Sequence, residues 1–287
     1  MTKRDELIER GYFVERAVLS AADMQICKSR LREVARHIDY YRDKIRLIVD
    51  VQDESYRDHP DPLRRFDWIN EISFRDPVLW RYAAAQPRLI ELAMEVLGPD
   101  IFPLNGGGFF MKPPRYGGEV PWHQDASPFD GSGGTPVPVL FDFWLGLDAA
   151  GIDNGCMELI PGSHLLGRLE HKDTGKILTE VDPFRHGFSH SDVVAIETDP
   201  GDVIVWHQDM IHRSPPNRSD RPRIGKASVY MSGTDEAAVR MMNNPKGTMG
   251  GNRPPICLDG KVCKLTRSIV APELRTSGEK LNPPGRP

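Results

Sequence analysis

The chain has 287 residues, 39% hydrophobic and 27% charged, with a formal net charge of −4. These values describe a soluble globular protein large enough to bury a substantial core, and they give no electrostatic case for nucleic acid or an anionic membrane as partner. No apolar run approaches the roughly 18 residues of a membrane helix, and the N-terminal stretch lacks an apolar signal-peptide core.

In chain order, Thr2 is expected to cap a short helix ending before Gly11, and Gly11-Tyr-Phe-Val-Glu-Arg reads as a strand. Ser20 and Asp23 resemble a capping box, and Met24, Ile26, Cys27, Leu31 and Val34 recur at helical spacing, which predicts a helix to about His37. Residues 50–67, polar and carrying Pro60 and Pro62, suit a connecting loop. Asp76-Pro77 and Gln86-Pro87 open two further helices, the second closed by Gly98-Pro99. From Ile101 the pattern changes to short apolar runs separated by Gly, Pro, Asn and Asp, at 101–112, 118–125, 137–147, 156–160, 192–197, 202–207 and 224–232. That spacing predicts an antiparallel β-sandwich or barrel. Residues 127–138 form a Gly/Ser/Pro-rich loop expected to act as a lid, and the segment from about Pro245 is expected to be disordered or an extended arm. Cys27, Cys156, Cys257 and Cys263 form no Cys-x-x-Cys pair and read as reduced thiols of a cytoplasmic protein.

The chemistry concentrates in two places. His123 and Asp125 lie two apart on a β-like segment, so both side chains can face one point. Further on, His207 and His212 are five apart; on one continuous strand they would face opposite ways, so at most one should look inward. Two histidines and one carboxylate on one face leave open octahedral positions, which suits non-haem Fe(II) oxygenases; zinc with a bound water is the competing reading. Arg223 opens an apolar run and is costly to bury without an anion, so it is a candidate anchor for a carboxylate co-substrate such as 2-oxoglutarate, with Ser214 offering a hydroxyl to the same group. Trp122, Phe129 and Trp206 are candidates for either core or pocket lining. His207 is expected to be structural, His164 to hydrogen-bond within its own turn, and His171, His186 and His190 to be solvated in a polar insertion that can overhang the site. Arg213, Arg218 and Arg221 read as surface charges, and Gln124 should point away from the metal.

Three ordered blocks carry a resemblance: Gly117-Gly-Glu-Val-Pro-Trp-His123-Gln-Asp125, then Asn154-Gly-Cys-Met-Glu-Leu-Ile-Pro-Gly-Ser-His164, then Gly201-Asp-Val with His212-x-Ser214-x-x-Asn217-x-Ser219 and Arg223. Across roughly residues 8–235 the chain resembles the phytanoyl-CoA dioxygenase family of Fe(II)/2-oxoglutarate-dependent oxygenases. The resemblance implies a mainly β fold, a double-stranded β-helix (jelly-roll, cupin-like) core with flanking N-terminal α-helices. The chain as a whole is read as a single domain over 1–287, with a mostly helical flank over 1–100, the jelly-roll core over 101–235 and a C-terminal arm or tail over 236–287. The resemblance implies His123, Asp125 and His212 as iron ligands, Arg223 and Ser214 on the far carboxylate of 2-oxoglutarate, and Trp144 lining that pocket. Because Asp125 is present, oxygenation is favoured over halogenation. The implied reaction is oxidation, by hydroxylation, of a small organic molecule with dioxygen, releasing succinate and carbon dioxide. A zinc or manganese isomerase or hydrolase, and a non-catalytic binding module, are the alternatives from other classes.

Overall fold

The structure is a computed structural model, and it describes residues 1–104, 107–125, 139–173, 179–236, 254–265 and 268–274. The lid expected over 127–138 and Phe129 lie outside the described residues.

Local chemistry sets the N-terminal elements. Helix α1 (Lys3–Arg10) opens on a full capping box, with Thr2 Oγ1 accepting from the Asp5 amide and Asp5 Oδ2 accepting from the Thr2 amide. It stops at Gly11, whose φ of 83° is readily adopted only by glycine. Strand β1 (Tyr12–Glu15) follows, then α2 (Ala21–Arg36), where Ser20 caps the Asp23 amide and Cys27, Leu31 and Val34 face the core. A short α3 (Ile38–Tyr41) leads to β2 (Ile48–Asp50) and β3 (Phe66–Asn70). The two strands pair with each other, so the expected loop of 50–67 is a hairpin whose prolines sit in the connection. Asp76 caps α4 (Pro77–Leu79) through the Val78 and Leu79 amides and accepts from Arg30 Nε at 2.9 Å, a buried pair that ties α4 to α2. A π-type turn (Trp80–Ala84) and α5 (Pro87–Leu97) complete the helical flank.

The remaining strands are β4 (Ile101–Pro103), β5 (Gly108–Lys112), β6 (Val120–His123), β7 (Leu140–Gly146), β8 (Met157–Leu159), β9 (Val194–Ile196), β10 (Val203–Trp206), β11 (His212–Ser214), β12 (Arg223–Ser232), β13 (Cys257–Leu258) and β14 (Lys261–Val262). They form two sheets. The large one runs β1-β10-β7-β12-β4-β13-β14, with β5, β3 and β2 branching from β12; the small one runs β6-β11-β8-β9. All of the described pairings are antiparallel, and the two sheets face each other as a double-stranded β-helix, or jelly roll.

All seven residues of β7 are buried, because the large sheet is covered on both faces. Its outer face puts Phe141, Phe143, Leu145, Val203, Val205 and Tyr230 against Leu31, Val34, Leu89 and Ile90 of the helices. Its inner face puts Trp144, Ile204 and Trp206 against Met157, Leu159 and Ile196 of the small sheet. The described C-terminal residues form an arm: β13 pairs with β4, Ile256, Cys257, Ala271 and Leu274 join the helical core, and the Ala271 amide donates to the Tyr41 hydroxyl.

The described residues of the polar insertion, 168–173 and 179–193, pack on the outside of the small sheet. Val181 donates its amide to the Trp122 carbonyl, and Val181 clusters with Trp122, Ile160 and Ile211. The insertion thereby covers β6, an edge strand that would otherwise present unpaired backbone groups.

Candidate metal centre

Strand pairing builds the site. β6 and β11 lie antiparallel with His123 opposite His212, their ring centroids 4.2 Å apart. Asp125 follows β6 directly. Its Oδ1 lies 3.6 Å from His123 Nε2 and its Oδ2 3.5 Å from His212 Nε2. One donor atom from each residue falls within 4.8 Å of the others, and among the described residues this is the one group of three or more potential ligands so arranged.

The rings are oriented for metal binding. His123 Nδ1 lies 2.8 Å from the Pro121 carbonyl and His212 Nδ1 3.0 Å from the Met210 carbonyl. A carbonyl only accepts, so each Nδ1 carries the proton and each Nε2 lone pair is turned to the centre. Burial, reinforced by the neighbouring His212, pushes the His123 pKa down to about 4, so its imidazole is neutral and available to a cation near neutral pH. Asp125 is held from behind by the Trp206 indole, whose Nε1 donates to Oδ2 at 3.0 Å.

His207 stands apart from this group. β10 ends at Trp206 in the large sheet and β11 begins at His212 in the small one, so the chain changes sheet between the two histidines and strand parity does not relate them. His207 instead accepts the Asp209 amide and faces His164 at 5.3 Å. His164 Nε2 reaches the Ile8 carbonyl at the end of α1, not a partner in its own turn as expected, because Gly11 brings α1 against this corner. His171 also departs from expectation. It is half-buried, and its Nε2 accepts the Gln124 amide at 2.9 Å while Nδ1 meets the Leu169 carbonyl at 3.0 Å, so it braces the segment between His123 and Asp125. His186 and His190 are exposed. Gln124 turns away from the His123–Asp125–His212 cluster and bonds Gly167, Leu169 and Asp209.

Deeper in the barrel, Arg223 is 2% exposed. Its guanidinium lies 4.0 Å from the Trp144 ring centroid, its Nη1 donates to Ser214 Oγ at 3.3 Å, and its Nε has no partner. Burial pulls its pKa down to about 10, which still leaves it cationic at neutral pH. Ser214 Oγ donates its own proton to the Gly155 carbonyl, so it supports Arg223 through a lone pair. Trp144 fits because Gly225 has no side chain; a Cβ there would lie 1.9 Å from the indole. Lys112, unremarked in the sequence, is the register partner of Arg223 and donates to the Ser214 and Pro215 carbonyls. Burial and Arg223 hold its pKa well below the usual lysine range. Trp122 belongs to the outer cluster, Arg213 pairs with Glu158 and lies over Trp122, and Arg221 pairs with Asp153 at the surface.

Known structures share this architecture. The fold matches the apoform of EctD from S. alaskensis with a TM-score of 0.65 at 20% identity, covering 93% of this chain and 86% of that one. It matches the epimerase SnoN in complex with Fe3+, alpha ketoglutarate and nogalamycin RO with a TM-score of 0.57 at 19% identity, covering 91% and 94%. In sequence, the chain is 35% identical over 111 residues to phytanoyl-CoA dioxygenase 1 of Oryza sativa subsp. japonica, covering 39% of this chain and 38% of that protein. It is 32% identical over 122 residues to phytanoyl-CoA dioxygenase domain-containing protein 1 of Bos taurus, covering 40% of each. These alignments span about two fifths of the curated relatives. No described helix is long and apolar enough to cross a membrane. A jelly roll with a His-Asp-His cluster between its sheets, together with a match to the family model over residues 7–225, shows that the chain belongs to the phytanoyl-CoA dioxygenase family.

Proposed function

We propose that the protein is a non-haem Fe(II)- and 2-oxoglutarate-dependent dioxygenase that oxidises a small organic molecule, by hydroxylation, with release of succinate and carbon dioxide. The observation that carries this reading is the pairing of the His123–Asp125–His212 cluster with a buried cationic Arg223 that has no carboxylate partner among the described residues. The donor set fits iron: two imidazoles and one carboxylate converge and leave positions open for other ligands. Bound iron and 2-oxoglutarate would supply the oxidising power for dioxygen-dependent attack on a C–H bond.

The chain's own residues do the rest. His123 and His212 present fixed Nε2 lone pairs, and Trp206 holds Asp125 in place. Arg223, stacked on Trp144 and steadied by Ser214, receives the far carboxylate of the co-substrate. The apolar wall of Met157, Leu159, Ile196, Ile204 and Met210 excludes water from the space between. A zinc hydrolase or isomerase has no use for a buried, anion-free guanidinium. SnoN, which shares the fold, is an alpha ketoglutarate dependent epimerase, so stereochemical inversion is the chief alternative outcome within the same chemistry.

Anaerobic addition of Fe(II) and 2-oxoglutarate should produce a weak visible charge-transfer band. Arg223→Met should raise the 2-oxoglutarate concentration needed for half the band by at least about 30-fold while metal affinity is kept. A folded, metal-loaded protein that shows no band overturns the assignment.

A further inference from the structure

The inner face of β7 carries an acid that the proposed chemistry does not use. Asp142 is fully buried, and neither of its carboxyl oxygens has a hydrogen-bond partner among the described residues. Other buried carboxylates in the fold are answered: Asp76 by Arg30, and Asp202 by Arg16 and the Ala17 amide. Leaving such a group unpaired is expensive unless something that binds supplies the partner.

The register places Asp142 inside the barrel at the level of the metal. It lies opposite Trp206, whose indole holds Asp125, and opposite Val229 on its other side. On β12 the inward residues run Arg223, Gly225, Ala227, Val229 and Met231; Trp144 pairs with Ala227 and Asp142 with Val229. Asp142 is therefore one inward position farther from Arg223 than Trp144, beyond the co-substrate anchor. It falls between two separate apolar clusters, one containing Trp144 and Trp206 and the other Leu104, Leu140, Val229 and Met231. Burial, with the negative charges of Asp125 and Asp209 adding to it, raises its pKa well above the ordinary carboxylate range.

We propose that Asp142 is a substrate-recognition residue that receives the protonated amine of a substrate whose body is otherwise apolar. An ammonium donates to both free oxygens, Trp206 offers it an aromatic neighbour, and Leu104, Leu140, Val229 and Met231 take the hydrocarbon. The inference rests on the iron and 2-oxoglutarate reading of the same barrel, so its test keeps the two readouts apart.

Butylamine, hexylamine and octylamine would be titrated calorimetrically against butanol, hexanol and octanol, using both metal-free protein and protein loaded anaerobically with Fe(II) and 2-oxoglutarate. At least one amine should bind about tenfold or more tightly than its alcohol. Asp142→Asn, equal in size but unable to ionise, should lose that preference while retaining the charge-transfer band. Infrared difference spectra of the unmutated protein provide a second measurement: the protonated-carboxyl stretch of a buried acid should disappear when the amine binds. Equal binding of amine and alcohol, failure of every amine to bind, or a preference that survives in Asp142→Asn overturns the proposal. A missing charge-transfer band with the amine preference intact would instead overturn only the co-substrate reading.

Discussion

Asp125 lies two residues past the end of β6 with a quarter of its side chain accessible, so its rotamer needs a support that the strand does not provide. Trp206 is that support: one indole N–H, contributed by the opposite sheet, fixes the oxygen that faces His212. Groups that orient a ligand in this way are commonly worth ten- to a hundredfold in metal affinity. Trp206→Phe keeps an aromatic ring in the inner cluster, removes the donor and gives up part of the indole's packing volume. It should weaken Fe(II) binding by roughly tenfold or more, read by competition with a chelator, and leave 2-oxoglutarate recognition at Arg223 nearly intact. Unchanged metal affinity would show that the hydrogen bond is incidental. From the sequence, Trp206 was equally a core or a pocket residue. Its partner is 81 positions away, and no local pattern reports a contact made only when two sheets close. Lys112 and His171 were illegible for the same reason, since each acquires its role through a carbonyl or an amide on a distant segment.

At the scale of elements, β7 and β12 form the longest ladder in the barrel and carry both Trp144 and Arg223. The close approach of the Trp144 indole to the Gly225 backbone lets the guanidinium stack at 4.0 Å. Gly225→Ala puts a methyl group where the ring lies, and overpacking of a rigid core costs about 1–3 kcal/mol. The variant should unfold at lower urea and also bind 2-oxoglutarate less tightly, because the displaced indole takes Arg223 with it. Loss of stability with normal 2-oxoglutarate binding would show that the stack does not position the anchor. The strands of this ladder were legible because a strand buried on both faces reads as a continuous apolar run between turn residues. β2 and β3 were not, because their pairing depends on β5 and the run between them is polar with two prolines. The choice between His207 and His212 was open for a related reason: the parity rule holds along one strand, and the chain leaves its strand between them.

For the whole molecule, the His123–Asp125–His212 cluster and Arg223 lie between the two sheets, and the N-terminal helix is locked to that barrel through histidines. His164 bonds the end of α1 and faces His207, which packs beside Met210 and Gly11. Burial, with His164 nearby, pushes the His207 pKa down to about 4, and burial also lowers those of His164 and His171. In the unfolded chain these imidazoles titrate near the ordinary value of about 6.5. Between that value and about 4 the unfolded state binds more protons than the folded state, so stability must fall as the pH is lowered through this window and be unaffected above it. For His207 alone the loss should reach roughly 2 kcal/mol by about pH 5. Urea unfolding of the metal-free protein at about pH 7.5 and about pH 5 measures the total change, and His207→Gln, which cannot gain the proton, should show a shallower fall. Hydrogen exchange at about pH 5 should find the amides of α1 opening before those of β7 and β12, because protonation acts at the corner where α1 is attached and not within the long ladder. An acid profile identical in His207→Gln, or early exchange in β7, would place the pH-sensitive contact elsewhere in the barrel.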